Sequence, residues 1–257
     1  MRFTDFPSAG EAFYWLGKHD PRTCLDACCR TSAQRREPSL DGPVAMECDD
    51  TDHRGDARED EQSAVERCAF CVFDAETSGL SAEDVVLQFA FGLFDASGRA
   101  LQLYSRLWNL PPGVKISRRA FDVHKIGHQK LCSEGMPAPR QLKIVRSIFS
   151  RLCERQVPIV AHNAAFDCRM LAQTAHKHGV APWDFAREHT TCTMQRAKPH
   201  TGLVSQKTGR PKAPSNSELY SFLHDGKTPE LGQLHDALTD IKITACSFVA
   251  GKAKKWW

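Results

Sequence analysis

The sequence predicts an α/β fold: a mixed five-stranded sheet, with an antiparallel three-stranded half plus parallel strands, flanked by helices. Three observations predict it. Residues 69–74, 84–94 and 100–108 are apolar runs joined by short turn signals, the mark of an antiparallel meander. Residues 157–161 and 190–194 are short strand-like segments set between helical stretches, the alternation that yields parallel strands. The helical stretches themselves, near 117–124, 139–154, 163–178, 215–223 and 235–250, supply the flanking layers.

Taken from the N-terminus, Ser8-Ala9-Gly10-Glu11 is a capping-box pattern before Ala12-Phe13-Tyr14-Trp15-Leu16, so a brief helix is expected there. From Thr31 to Val65 the chain is polar, with Pro38, Gly42, Pro43 and an acidic block from Glu47 to Glu61. That composition predicts linker or disorder. Residues 1–65 are therefore expected to form an N-terminal arm, and 66–257 the folded domain. Pro111-Pro112-Gly113 ends the meander. Residues 195–214 hold Arg196, Lys198, Lys207, Arg210 and Lys212 with no acid, among Pro, Gly, Ser and Thr. They predict a basic loop, which either grips a phosphate backbone or is simply a solvated surface. The last helix leads into a Lys-rich, Trp-terminated tail.

Composition bounds the class. The 257 residues are 41% apolar and 25% charged, ordinary for a soluble globular protein. No run approaches the ~18 apolar residues of a membrane span. Met1-Arg2-Phe3-Thr4-Asp5 lacks the apolar segment of a signal peptide, so a soluble intracellular location, cytoplasmic or nuclear, is expected. The eleven cysteines, an odd number, point to reduced thiols. Cys68 and Cys71 form a lone C-x-x-C without a second pair at zinc-finger spacing, so buried free cysteine is expected rather than structural zinc. The net charge of +3 divides unevenly, −6 over residues 1–65 and +9 over 66–257, which suits a polyanionic partner for the folded domain.

Chemistry enters at Cys71-Val72-Phe73-Asp74-Ala75-Glu76-Thr77-Ser78-Gly79-Leu80. Asp74 and Glu76 are two apart and share one face of a strand. Side by side they raise each other's pKa unless a cation lies between them. Alone, the pair is equally a strand end with solvated acids. Asp167 follows a strand in the first turns of a helix, where α/β sheets place ligands, and also where the helix dipole favours any exposed acid. His235 and Asp240 are five apart, so a continuous helix would set them about 140° apart. They converge only if His235 lies at the helix start, on the incoming loop.

In order these segments read D-x-E-x-x-G-L, H-N-x-x-F-D and H-x-A-x-x-D. The chain thereby resembles the DEDDh exonucleases, the DnaQ-like proofreading family on an RNase H-like fold. The resemblance covers about residues 69–250. It includes Ala120-Phe121-Asp122-Val123-His124-Lys125-Ile126, similar to the family's A-x-x-V-H-G-I with Lys125 where Gly is usual. The related DEDDy class carries Tyr four residues before the last Asp, and here that position is Asp236.

The resemblance implies a 3′–5′ exonuclease that releases nucleoside 5′-monophosphates with two divalent cations, Mg²⁺ or Mn²⁺. Asp74, Glu76, Asp167 and Asp240 would be the metal ligands and His235 the general base. Hard cations want such oxygen donors, and imidazole titrates near neutrality. Thr77, Ser78, Gly79, Leu80, His124, Asn163 and Phe166 would meet the terminal nucleotide. Single-stranded DNA is the favoured substrate. RNA 3′ ends, or a non-catalytic nucleic-acid-binding adaptor on the same fold, are the alternatives. Residues 1–65 are a place for a polymerase or other protein partner, and no membrane partner is expected.

Overall fold

The computed structural model describes residues 63–180, 189–229 and 235–257. The chain divides into two units, Met1–Gln62 and Ser63–Trp257, and all the described residues belong to the second. The helix expected near 12–16, most of the polar linker and any partner site in the arm lie outside the described residues. The folded unit starts slightly earlier than composition suggests. Residues 63–67 are helical, and Ala64 and Val65 are buried although they follow the acidic block.

Five strands form one sheet in the order β3-β2-β1-β4-β5. β1 (Phe70–Thr77), β2 (Val86–Phe94) and β3 (Ala100–Leu107) are antiparallel neighbours. β4 (Ile159–Ala161) and β5 (Thr190–Cys192) extend the sheet in parallel on the other side of β1. The mixed α/β architecture is as predicted. β1 runs three residues beyond the expected Asp74, so both carboxylates lie inside the strand.

Strand alternation assigns the two faces of the sheet. Phe73, Phe89, Phe91 and Tyr104 face one way, against Phe149. Phe149 belongs to α3 (Ala138–Glu154), which buries Leu142, Val145, Ile148, Phe149 and Leu152 at helical spacing. Phe70, Val72, Ala90, Phe94 and Val160 face the other way, against Ala237, Ile241, Ala245 and Phe248 of α7 (Ala237–Ala253). Each such Phe or Ile contributes about 1.5–3 kcal/mol on burial. Asp74 and Glu76 continue the Phe70–Val72 face, so the packing that seats α7 also points both carboxylates at its N-terminus.

Two short helices, α1 (Arg118–His124) and α2 (His128–Glu134), follow the meander. The second is absent from the sequence reading because its seven residues bury only Leu131, too little for a period. α4 (Ala164–Lys177) follows β4. The expected basic loop over 195–214 is corrected in its first part. Residues Thr193–Thr201 form helix α5 despite Pro199, because Thr193, Ala197 and Thr201 are buried at spacing four and Gly202 closes the helix at φ 62°. α6 (Asn216–Leu223) starts with a capping box between Ser215 and Glu218.

A candidate active site at the end of β1

Three elements meet at the C-terminal end of β1: the strand itself and the N-termini of α4 and α7. Asp74 and Glu76 come from the strand, Asp167 from the first turn of α4, and Asp240 from the first turn of α7. Asp167 is 2% exposed, and its Oδ1 accepts the Ala75 backbone N–H at 3.1 Å, which ties α4 to β1 between the two strand carboxylates.

His235 meets the geometric condition set by its offset from Asp240. It precedes the helix, adopts φ 64°, and is exposed. Asp236 then caps α7, accepting the Thr239 N–H at 3.1 Å. One ligand atom from each of Glu76, His235 and Asp240 falls within 4.8 Å of the others. Asp74 and Asp167 stand outside that trio but share its field.

Burial pushes the carboxyl groups upward. Asp74 lies well above the usual carboxylate range, first through burial and then through Asp167, Asp240 and Glu76. Glu76 rises to about 8 from burial, with Asp240 and Asp236 adding to it. Asp167 is also raised well above its ordinary value by burial, against the pull of the Ala75 N–H. Asp240 is raised by burial, opposed by the His235 charge and by hydrogen bonds from Asn216 and the His235 backbone. Mutual repulsion of the acids thus comes second to desolvation, a correction to the sequence argument. Desolvated oxygen donors gathered at one end of β1, with Glu76 and Asp240 in the close trio and Asp74 and Asp167 beside it, fit hard divalent cations.

The turn after Glu76 is built largely from its own side chains. Ser78 Oγ donates to Asp84 Oδ1 at 2.8 Å and accepts the Val85 N–H at 3.0 Å. Thr77 Oγ1 donates to the Gly79 carbonyl at 2.8 Å. A Cβ on Gly79 would lie 2.6 Å from the Asp84 carboxylate, so a side chain there would push that carboxylate off its bonds to Ser78 and Ser81. Of the four turn residues proposed from sequence to hold a nucleotide, only Leu80 is exposed, at 75%. His124 is buried, and both its ring nitrogens are engaged. Nδ1 accepts from the Ile126 N–H at 2.9 Å, so Nε2–H donates to the Thr77 carbonyl at 3.1 Å. That leaves no ring nitrogen for a nucleotide, and His124 instead braces α1 against the end of β1. Asn163 caps α4 at φ 71° without a side-chain cap bond. Phe166 is half-buried, with the Arg169 guanidinium 5.4 Å above its ring.

Two residues around the site were not identified by the sequence reading. Gln88 is the cross-strand partner of Glu76. Its Nε2 donates to Asp236 Oδ1 at 2.8 Å, and its Oε1 accepts the Ala237 N–H at 3.3 Å. Asp236 is legible as an N-cap, with Thr239 three residues on, whereas nothing local marks Gln88.

A family model described as an exonuclease, RNase_T, matches residues 71–248. The chain belongs to this exonuclease family. It carries a DEDD-type domain on the RNase H-like fold. Among solved structures it is similar to E. coli exonuclease I in complex with a dT13 oligonucleotide, at 18% identity and TM-score 0.57. That match covers 72% of this chain and 41% of the other. A zinc-bound E. coli exonuclease I–ssDNA complex is similar at 17% identity and TM-score 0.56, covering 72% and 41%. The Methylocaldum szegediense exonuclease I matches at 17% identity and TM-score 0.55, covering 73% and 41%. The exonuclease chain therefore aligns with about two fifths of these longer proteins. No match was found among curated proteins. Among the described residues no helix is long and apolar enough to cross a membrane, and the described cysteines are free thiols.

Proposed function

We propose that this exonuclease removes nucleoside 5′-monophosphates from the 3′ ends of nucleic acid, with single-stranded DNA favoured, in a reaction dependent on Mg²⁺ or Mn²⁺. The observation that carries the proposal is the trio of Glu76, His235 and Asp240 within 4.8 Å, backed by the half-buried Asp74 and the buried Asp167.

Bound divalent cations would supply Lewis-acid stabilisation of the attacking and leaving oxygens. Asp74, Glu76, Asp167 and Asp240 would hold them. The bond from the Ala75 N–H to Oδ1 holds Asp167 beside the strand carboxylates. A ring nitrogen of His235, on the exposed side of the trio, takes the proton from the attacking water. Its place before the helix lets the ring reach the same point as Asp240, one turn into the helix. Leu80, exposed beside the carboxylates, is the apolar contact for the terminal base. Asn163 and Phe166 orient the start of α4, and hence Asp167.

The preference for DNA is supported by the oligonucleotide complexes of the exonuclease I neighbours, and an RNA substrate is the second reading. Digestion of matched 5′-labelled single-stranded DNA, duplex DNA and RNA with Mg²⁺, Mn²⁺ or EDTA tests both. The expected result is a metal-dependent ladder of shortened 3′ ends, fastest on single-stranded DNA. Faster loss of RNA would assign the second reading. Absence of shortening with either metal would leave the adaptor alternative and remove the enzymatic one.

A further inference from the structure

About 20 Å along α7 from Asp240, at 1.5 Å per residue, the helix ends in a basic and aromatic surface that the catalytic reading does not use. Lys252, Lys254 and Lys255 are exposed there, as are Lys198 and His200 of the neighbouring α5. Trp256 stacks on the His200 ring, centroids 4.6 Å apart and planes 10° apart, and lies 5.9 Å from the Phe222 ring of α6. Phe222 is 46% exposed.

The surface is held rigidly. The Trp256 N–H donates to the Gly251 carbonyl at 3.0 Å, which reverses the chain at the helix end, with Lys255 at φ 60° in the position that favours glycine. Trp257 then stacks on Phe248, and its Nε1 donates to the Phe248 carbonyl at 2.8 Å. Trp257 thus pins the turn to the core and leaves the Trp256–His200 stack at the surface. Of the nearby acids, Glu218 is already paired with Lys212 at 2.6 Å, and Asp225 follows α6. The face remains strongly basic.

We propose that this face is a second binding site for single-stranded nucleic acid, holding the strand upstream of the 3′ end that enters the carboxylate site. The inference rests on the proposed exonuclease function for its choice of strand. Lysines alone would accept any polyanion. An exposed imidazole face backed by a tryptophan, with a phenylalanine beside it, adds flat platforms on which bases stack irrespective of sequence. At 3.4 Å per stacked nucleotide, the distance from Asp240 spans about six nucleotides. The site should therefore act only on strands longer than that.

Anisotropy binding in EDTA, with 5′-fluorescein dT20 and dT4, tests the proposal on the full chain. Two variants serve: Lys252→Glu with Lys255→Glu, and His200→Ser. The charge variant is expected to weaken dT20 binding at least tenfold and to lower the log–log salt slope by about 1.4, at about 0.7 per phosphate contact. His200→Ser should weaken dT20 binding and leave the slope unchanged. Neither should alter dT4 binding. Wild-type affinity for dT20 in both variants would overturn the proposal. So would displacement of dT20 by a polyglutamate peptide as effectively as by unlabelled dT20, since the face would then suit an acidic protein. Turnover is not needed for this assay, so failure of the exonuclease reading shows separately, as absence of shortening by the wild-type protein with metal.

Discussion

Gln88 and Asp236 join the central sheet to the helix that carries the last carboxylate. The Gln88 side chain closes a two-point clasp on the start of α7, donating to the Asp236 carboxylate and accepting from the Ala237 N–H. Since Gln88 sits opposite Glu76 on the neighbouring strand, the clasp fixes His235 and Asp240 relative to Glu76. Gln88→Leu should lower kcat by about 10²-fold, the cost of misplacing a reacting group by about 1 Å. In a His235→Ala background the same change should cost less, because part of its effect runs through His235. Equal losses in the two backgrounds would place the effect on Asp240 or on the fold and remove the role through His235.

Removing the base itself is a separate experiment. His235→Ala should reduce single-turnover cleavage by about 10²–10⁴-fold, the usual contribution of a positioned general base. Nucleic-acid binding in the presence of metal should survive. Cleavage at the wild-type rate would sink the role assigned to His235.

Asp167 separates stability from activity. It is buried, and its carboxyl is pushed well above the usual range, so ionisation in the metal-free protein is costly. Asp167→Asn keeps an oxygen for the Ala75 N–H and removes the charge. The variant should melt several degrees higher in EDTA, where about 1 kcal/mol corresponds to ~2–4 °C for a domain of this size. Its nuclease activity should fall by more than 10²-fold. A lower melting temperature in EDTA would show that the carboxylate is not a strained group.

The same electrostatics give stability a pH dependence of defined sign. Glu76 titrates at about 8 in the folded protein against an ordinary 4.5. Between those values the folded state holds a proton that the unfolded state has released, so stability falls as pH rises. The metal-free protein should therefore lose melting temperature progressively from pH 5 to pH 8.5. Saturating Mg²⁺ should raise it most at the alkaline end, where the carboxylates are ionised and the cation offsets their repulsion. A metal-induced rise that is uniform across this range would dissociate the ion from these groups.

How much of this was legible in advance differs from element to element. β1 and β2 announced themselves because each buries nearly every residue, and β3, which buries only Tyr104 and Leu107, was marked by the turn chemistry at Ser97-Gly98 that precedes it. The D-x-E pair was visible as one face of a strand. Helix α5 was not, since its stability comes from Thr193, Ala197 and Thr201 packing against neighbours and not from its own composition, which includes Pro199. The roles of Thr77, Ser78 and His124 were also hidden. Their polar atoms are consumed by Gly79, Asp84, Val85, Ile126 and the end of β1, and side-chain partners cannot be read from residue type alone.

By itself the sequence determined the α/β order of elements, the residues with the right chemistry and the need for His235 to lie outside the helix. The order of elements and the placing of His235 follow from period, turn residues and offsets along the chain, which are local quantities, whereas the set of site residues follows from the resemblance of three motifs, taken in order, to a known family. Only the tertiary structure decided that Glu76, His235 and Asp240 come within 4.8 Å of one another, and that Asp167 is held between the strand carboxylates by Ala75. It also decided that Gln88, remote in sequence, anchors α7. Convergence of this kind depends on which helix face is buried against which strand. Packing settles that through contacts between residues far apart in the chain.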